Sequence, residues 1–111
     1  SNIDISVQID AATDDLDSNS KLGIFRIVEQ SILNSLVHGP ASAVQIFIST
    51  DSSGTTEIIV TDDGPGLDLT EVKSGVGTAI IDSWVGILNG RKEIDSAPGH
   101  GYRLHVTFIA R

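Results

Sequence analysis

The hydrophobic period changes several times along this chain, which limits the folds open to it. Residues 3–9 alternate apolar and polar side chains, as expected for a strand with one buried face. From residue 21 to 38 the apolar residues recur at helical spacing instead. They form one stripe of Leu22, Phe25, Ile32 and Leu36, widened by Val28 and Leu33. We therefore expect a strand, a polar loop over residues 11–20 and a long amphipathic helix that ends at Gly39-Pro40.

The rest of the chain predicts four more strands and a second helix. Residues 44–48 and 56–60 alternate on either side of a turn at 51–54, which indicates a hairpin. Helical spacing returns over residues 80–88, where Trp84 is expected in the core, and Asn89-Gly90 ends that helix. Strands are predicted at 92–95 and 103–109. The order predicts a two-layer α+β sandwich, a mixed and mostly antiparallel sheet covered on one face by helices.

Composition narrows the classes of function. The 111 residues are 40% hydrophobic, which suits one domain over residues 1–111. Fifteen acidic and seven basic residues give a net charge of −8, which disfavours nucleic acid and anionic membranes as partners. Cysteine is absent, which excludes disulfides and thiolate metal sites. Because the chain begins Ser-Asn, we expect a fragment of a longer protein.

A polar column runs along the first predicted helix. Arg26, Gln30, Asn34 and His38 are spaced by four and share one side of it. A solvated helix face is the ordinary interpretation, and His38 suits a helix C-terminus. Asn34 stands out because a side-chain carbonyl oxygen is a suitable ligand for Mg²⁺.

Two glycine-containing segments are the other candidates for chemistry. Asp62-Asp63-Gly64-Pro65-Gly66 follows a strand, where a carboxylate could accept from an amino group while the glycines admit a flat ligand. An ordinary turn is the alternative. Gly75-Val76-Gly77 opens the second helix, and amides at a helix N-terminus attract phosphate, although a lone G-x-G is weak evidence. The glycine-rich segment 64–77 is typical of a ligand lid.

Taken in order, these motifs resemble the Bergerat-fold ATPase superfamily of gyrase, histidine kinases and MutL. The closer resemblance is to the catalytic ATP-binding domain of sensor histidine kinases of the NarL/DesK type. Residues 26–38 look like that family's N box, 60–66 like its first glycine box and 75–78 like its second. The segment 89–101 matches its closing β-hairpin. The resemblance covers residues 3–109, with every motif on the expected element.

The resemblance implies a role for each matching position. Asp62 would accept from the adenine amino group, Gly66 would let the base approach the backbone, and Asn34 would coordinate Mg²⁺. Gly75 and Gly77 would donate amides to the phosphates, and residues 67–74 would form the ATP lid. Gln30 and Asn34 occupy the catalytic positions. The full set of implied nucleotide-binding residues is Asn34, His38, Asp62, Gly64, Gly66, Lys73, Gly75, Val76, Gly77, Thr78 and Tyr102.

Three positions depart from the family pattern. The usual Glu four residues before Asn34 is Gln30, and the acid stands instead at Glu29, about 100° around the helix. An amide cannot take a proton as a carboxylate can. Val37 replaces a basic residue, and Tyr102 replaces a Thr. These departures favour nucleotide binding over efficient phosphoryl transfer.

The resemblance implies a cytoplasmic domain that binds Mg-ATP and phosphorylates a histidine on a helical dimerisation domain of the same protein. The full-length protein would be a homodimer, with a response regulator downstream and no direct membrane contact by this domain. Two alternatives remain open. One is a degenerate module that acts through protein contacts, and the other is an anti-sigma-factor kinase that phosphorylates serine.

Overall fold

A computed structural model describes residues 3–37, 41–66 and 76–110. These ranges contain five strands: β1 (Asp4–Ile9), β2 (Ala43–Thr50), β3 (Thr55–Asp62), β4 (Arg91–Ser96) and β5 (Tyr102–Ile109). They also contain the helices α1 (Ser18–Val37) and α2 (Val76–Ile87), and a short 3₁₀ helix over Ala11–Asp15. The predicted Gly39-Pro40 stop and the predicted lid at 67–74 lie outside the described residues.

The strands form one mixed sheet in the order β1-β2-β3-β5-β4. β1 is parallel to β2, and the other neighbouring pairs are antiparallel. The core lies on the face that the two helices cover, where Ile46, Val60 and Leu104 share one register row and are almost fully buried. The predicted two-layer α+β sandwich is confirmed. Trp84 packs against this core, as expected.

The apolar stripe predicted for α1 is wrong at four of its six positions and confirmed at Val28 and Ile32, which are partly buried and pack against the core. Leu22, Phe25, Leu33 and Leu36 are exposed, and the buried positions are Ser20, Gly23, Ile24, Ile27, Ser31 and Ser35. The side of α1 that meets the sheet and α2 consists largely of small residues because the packing distance is short. At Gly23 an added Cβ would lie 2.9 Å from the Leu88 side chain. The sequence therefore carries two apolar faces on one helix, and the less bulky face is the buried one.

The first strand is confirmed, but its expected burial is wrong. Ile5, Val7 and Ile9 pair with Val44, Ile46 and Ile48, so they lie on the helix-covered side of the sheet. They nevertheless remain 43–56% exposed. β1 is one of the two edge strands, and α1 lies over β2 and β3 instead. The alternation of apolar and polar residues predicts which side chains share a face of the strand. Whether that face is buried depends on whether a helix covers it.

The second helix ends as predicted. The Gly90 amide donates to the Val85 carbonyl at 2.8 Å, and the Asn89 amide donates to the Gly86 carbonyl at 3.1 Å. Asn89 takes a φ of 54°, which Asn tolerates better than most residues. These bonds satisfy the last carbonyls of the helix in a Schellman arrangement and turn the chain into β4.

The β2–β3 hairpin closes one end of the sheet with side-chain hydrogen bonds. The Thr13, Thr50 and Thr56 hydroxyls are buried and linked at 3.1 and 3.0 Å. Asp10 accepts from the Thr13 hydroxyl at 2.7 Å and from the Thr50 amide at 3.0 Å. Asp51 accepts from the Ser53 and Thr55 amides at 2.9 and 3.0 Å. We call this end, comprising residues 10–13, 50–56 and 109–110, the hairpin end.

Candidate functional site

The opposite end of the sheet centres on Asp62, the last residue of β3. Its Oδ2 accepts from the Ser35 hydroxyl of α1 at 2.7 Å, and its Oδ1 accepts from the Gly64 amide at 2.9 Å. The residue is half-buried. A carboxylate has about four acceptor positions, so each Asp62 oxygen keeps capacity for a further donor. We call this end, comprising residues 35, 62–66 and 96–102, the site end.

Asp63, although adjacent, has a different task. Its Oδ1 accepts from the Ser42 and Ala43 amides at 2.8 and 2.9 Å, and its Oδ2 accepts from the Ser42 hydroxyl. The Ser42 hydroxyl, followed by the two amides, lowers the pKa of Asp63 from its ordinary value of 3.8. Asp63 therefore fixes the start of β2, and its neighbour Asp62 faces α1.

Glycines are required at this end because two turns pack closely. Gly66 has a φ of 75°, and a Cβ there would lie 2.0 Å from the Ala97 carbonyl oxygen. Gly101 has a φ of 72°, and a Cβ there would lie 2.5 Å from the Asp62 carbonyl oxygen. The Gly99 amide donates to the Pro65 carbonyl at 2.7 Å. Contact between the loop after β3 and the β4–β5 turn thus accounts for these glycines, and the approach of a base to Gly66 stays a prediction.

Tyr102 pairs with Asp62 across β3 and β5. Burial, and then the charges of Asp62 and of Asp82 on α2, raise the pKa of Tyr102 from 10.0 to about 12. The ring packs against the core. The Tyr102 phenol therefore keeps its proton to a higher pH than an ordinary tyrosine, and the residue lies beside Asp62 on the neighbouring strand.

The polar column of α1 is described only in part. Arg26 is exposed, pairs with Glu29 at 3.1 Å and lies 5.6 Å from the centre of the Phe25 ring. Gln30 and Asn34 are half-buried. Because Asn34 precedes Ser35, the bond from Ser35 to Asp62 brings the last turns of α1 to the end of β3. The predicted N-box and first-glycine-box segments therefore meet, and His38 lies outside the described residues.

The second helix starts at Val76, within the predicted Gly75–Gly77 segment. Thr78 is half-buried on its first turn. Gly75 and Lys73 lie outside the described residues, so their predicted roles stay predictions. Asp82, one turn after Thr78, forms an ion pair with Lys92 of β4.

Other titratable groups do not converge in the part of the chain that the structure describes. Across residues 3–37, 41–66 and 76–110, no three His, Asp or Glu side chains are placed to hold a metal ion. His105 lies 3.3 Å from Glu57 on the open face of the sheet. The same ranges contain no helix long and apolar enough to span a membrane.

Sequence reasoning missed Ser35, which supplies the bond that joins α1 to Asp62. A signal was present, because Ser31 and Ser35 recur at a spacing of four next to Ile24 and Ile27. Small polar residues at helical spacing among apolar ones indicate a face whose hydroxyls have buried partners. The wide apolar stripe on the other side of α1 obscured that face.

The sheet order and the single layer of helices define the fold of histidine kinase ATPase domains. Two solved structures of the blue-light activated histidine kinase from Erythrobacter litoralis EL346 share it. The histidine kinase domain superposes with a TM-score of 0.81 and 22% identity, over 96% of this chain and 51% of that one. The larger structure gives a TM-score of 0.86 and 23% identity, over 98% of this chain and 36% of that one.

Residues 19–111 match the family described as histidine kinase-, DNA gyrase B-, and HSP90-like ATPase, and the chain belongs to this family. Histidine kinases are also among its relatives. The signal transduction histidine-protein kinase/phosphatase DegS of Brevibacillus brevis is 30% identical over 88 residues, 78% of this chain. Sensor histidine kinase ComP of Bacillus subtilis is 29% identical over 97 residues, 85% of this chain. The chain spans only 22% and 12% of these two proteins.

Proposed function

We propose that this domain binds Mg-ATP and supplies the γ-phosphoryl group to a histidine on a helical domain of the same protein. The observation that carries the proposal is the Asp62 carboxylate, held at the end of β3 by Ser35 and Gly64 in a chain of an ATPase family. In the transfer, the bond from the γ-phosphorus to the ADP oxygen breaks and a bond to a histidine nitrogen forms.

Asp62 suits recognition of adenine. The 6-amino group of adenine is a donor, and each Asp62 oxygen has a free acceptor position. Asp62 is half-buried beside Tyr102, and a hydrogen bond there is stronger than one in bulk water. A 6-oxopurine would place a carbonyl oxygen against the carboxylate, so the proposed site favours adenine over guanine nucleotides.

Asn34 fits the role of a magnesium ligand. Its side-chain oxygen is a hard ligand, it is half-buried, and it lies on the turn of α1 that reaches Asp62 through Ser35. Mg²⁺ usually takes few protein ligands and completes its shell with phosphate oxygens and water. When bound, the ion neutralises phosphate charge. With a net charge of −8 and Val37 in place of a base, nucleotide affinity should depend strongly on Mg²⁺.

The remaining roles are proposals about the full-length protein. Backbone amides at Gly75 and Gly77 would hold the phosphates at the start of α2. The greater length of DegS and ComP supports an acceptor-histidine domain elsewhere in the protein. That domain would make the protein a homodimer, and a response regulator would receive the phosphoryl group. We propose a cytoplasmic location for the ATP-binding domain.

Nucleotide titration of matched charge variants tests the proposal. Asp62→Asn and Asp51→Asn remove the same charge, so both change the long-range attraction for an anionic ligand by a similar amount. Asp62→Asn should weaken Mg-ADP binding at least tenfold, because a hydrogen bond to a charged group is lost. Asp51→Asn, at the hairpin end, should bind as the unaltered chain does. Equal affinity of the two variants in isothermal titration would contradict the proposal.

Catalysis is tested separately in the full-length protein. Gln30 cannot accept a proton, and Gln30→Glu restores a carboxylate at the position where the resembling family has one. We expect faster autophosphorylation with little change in Mg-ATP affinity. An unchanged rate would show that Gln30 is not the limiting departure.

A further inference from the structure

Two buried serines lie one turn apart on the sheet-facing side of α1. Ser31 is 2% exposed, and its hydroxyl donates to the Ile27 carbonyl of the same helix at 2.7 Å. Ser35 is 6% exposed, and its hydroxyl leaves the helix to donate to Asp62 Oδ2 at 2.7 Å. The two residues share chemistry, burial and helix face. They differ in the partner, which for Ser35 is the carboxylate of the candidate site.

Two donors fix the Asp62 carboxylate where one would not. The Gly64 amide, two residues along the chain, holds Oδ1 and leaves the carboxylate plane free to turn about that contact. The Ser35 hydroxyl holds Oδ2 from a different element, so the plane is set by both β3 and α1. A pre-oriented acceptor loses less entropy when a ligand binds.

We propose that Ser35 is a positioning residue that orients Asp62 and thereby sets the preference for 6-aminopurine over 6-oxopurine nucleotides. This inference rests on the proposed nucleotide-binding function. Ser35 itself acts through Asp62. Its removal leaves the carboxylate in place but free to turn toward water, which weakens the bond to an amino group. Affinity that comes from the phosphates and Mg²⁺ is unaffected, so adenine and guanine nucleotides should respond differently.

The test compares Ser35→Ala with Ser31→Ala in titrations with Mg-ADP and Mg-GDP. Ser35→Ala should weaken Mg-ADP binding about tenfold and change Mg-GDP binding less than about twofold. The ratio of the Mg-ADP affinity to the Mg-GDP affinity should therefore fall. Ser31→Ala removes an equally buried hydroxyl and should leave the ratio unchanged. If Ser35→Ala merely destabilised the fold, both affinities would fall together, and that result would overturn the inference.

A double-mutant cycle separates this inference from the function on which it rests. In an Asp62→Asn background, Ser35→Ala should have little further effect on Mg-ADP affinity, because its route of action is already removed. Independent, additive losses would overturn the positioning role. If the unaltered chain binds Mg-ADP and Asp62→Asn binds it at least tenfold more weakly, an unchanged ratio of the ADP and GDP affinities in Ser35→Ala overturns only the role of Ser35. Failure of the unaltered chain to bind Mg-ADP overturns the function and the inference together.

Discussion

The two ends of the sheet use the same side chains differently. At the hairpin end, Asp10 and Asp51 accept from nearby amides and hydroxyls, and a buried chain of Thr13, Thr50 and Thr56 ties the strands together. At the site end, Asp62 accepts one amide and one distant hydroxyl and remains half-buried. Asp10 and Asp51 accept three bonds each and hold the hairpin end together, whereas Asp62 accepts two from the described residues and is the candidate for a ligand.

The hairpin end also carries a concave surface. A depression of about 350 Å³ lies at the hairpin end, lined by Asp10, Ser49, Thr50, Asp51, Thr55 and Glu57. Asp10 and Asp51 each accept three bonds from residues of the hairpin end, whereas Asp62 accepts two within the part of the chain that the structure describes. The site end is distinguished instead by the closer packing of its two turns, at Gly66 and Gly101, and by a carboxylate that accepts only two bonds from residues 3–37, 41–66 and 76–110.

Glycine substitutions should give the largest difference between the two ends, in both the free energy of unfolding and Mg-ADP binding. Gly66→Ala would place a Cβ 2.0 Å from the Ala97 oxygen at a φ of 75°, whereas Gly54→Ala would meet the Ala110 oxygen at 3.0 Å. We expect Gly66→Ala to cost about 3 kcal/mol or more and to abolish Mg-ADP binding. Gly54→Ala should cost about 1–2 kcal/mol and leave binding intact.

Urea unfolding and isothermal titration of both variants measure this contrast. Gly99→Ala is the control for backbone strain, since its φ is 80° and nothing lies within 4 Å of the added Cβ. It should lose only about 1–2 kcal/mol. Comparable effects of Gly66→Ala and Gly99→Ala would show that contact with Ala97 is not what requires glycine.

Removing a hydroxyl from the buried chain of Thr13, Thr50 and Thr56 should have a smaller effect, and only on the free energy of unfolding. Thr56 is fully buried and bonds Thr50 at 3.0 Å, so Thr56→Val should lower the free energy of unfolding by about 1–2 kcal/mol. Thr61→Val, on the open face of the same strand, should change it by less than about 0.5 kcal/mol. Mg-ADP affinity should be unchanged in both. Weaker nucleotide binding by Thr56→Val would contradict the assignment of a purely structural role to the hairpin end.

Low pH should destabilise the fold mainly by protonating the carboxylates that hold turns. Bonds from Thr13 to Asp10 and from Ser53 to Asp51 lower the pKa of each carboxyl below its ordinary value of 3.8. A lowered pKa stabilises the folded state above 3.8, and that contribution is lost as the pH falls through the folded-state pKa. The urea concentration at the unfolding midpoint should therefore fall less between pH 5 and pH 3 in the double variant Asp10→Asn, Asp51→Asn than in the unaltered chain. Parallel pH profiles would contradict this assignment.

The smallest expected effect is a change in the pKa of Tyr102, which lies at the site end. It is the single tyrosine of the chain, and its pKa is raised to about 12 by burial, then by Asp62 and Asp82. Because the folded state holds this proton more strongly, stability should fall as the pH rises from 10 through 12. Phenolate absorbance of folded protein should show a lower pKa in Asp62→Asn and no change in Asp51→Asn. A shift in both variants would mean that Asp62 has no specific influence on the ring.

Much of the fold could be predicted because periodicity and turn residues are local. The hairpin turn at 51–54, the Asn89-Gly90 stop and the five strands all follow from short segments. The buried face of α1 could not be predicted, because two apolar faces compete and the close approach of Leu88 to Gly23 decides between them. Asp62 could be singled out from its place after a strand. Its partner Ser35, 27 residues earlier, depends on how α1 packs on the sheet.

The most direct test of the account maps Mg-ADP onto the two ends of the sheet by backbone amide chemical shifts. We predict shifts at Ser35, Asp62, Gly64, Gly101 and Tyr102, and none at Thr13, Ser53, Gly54 and Thr56. Asp62→Asn should remove the shifts, and Asp51→Asn should retain them. Shifts at the hairpin end, or no shifts at millimolar Mg-ADP, would contradict the claim that the end of β3 binds an adenine nucleotide.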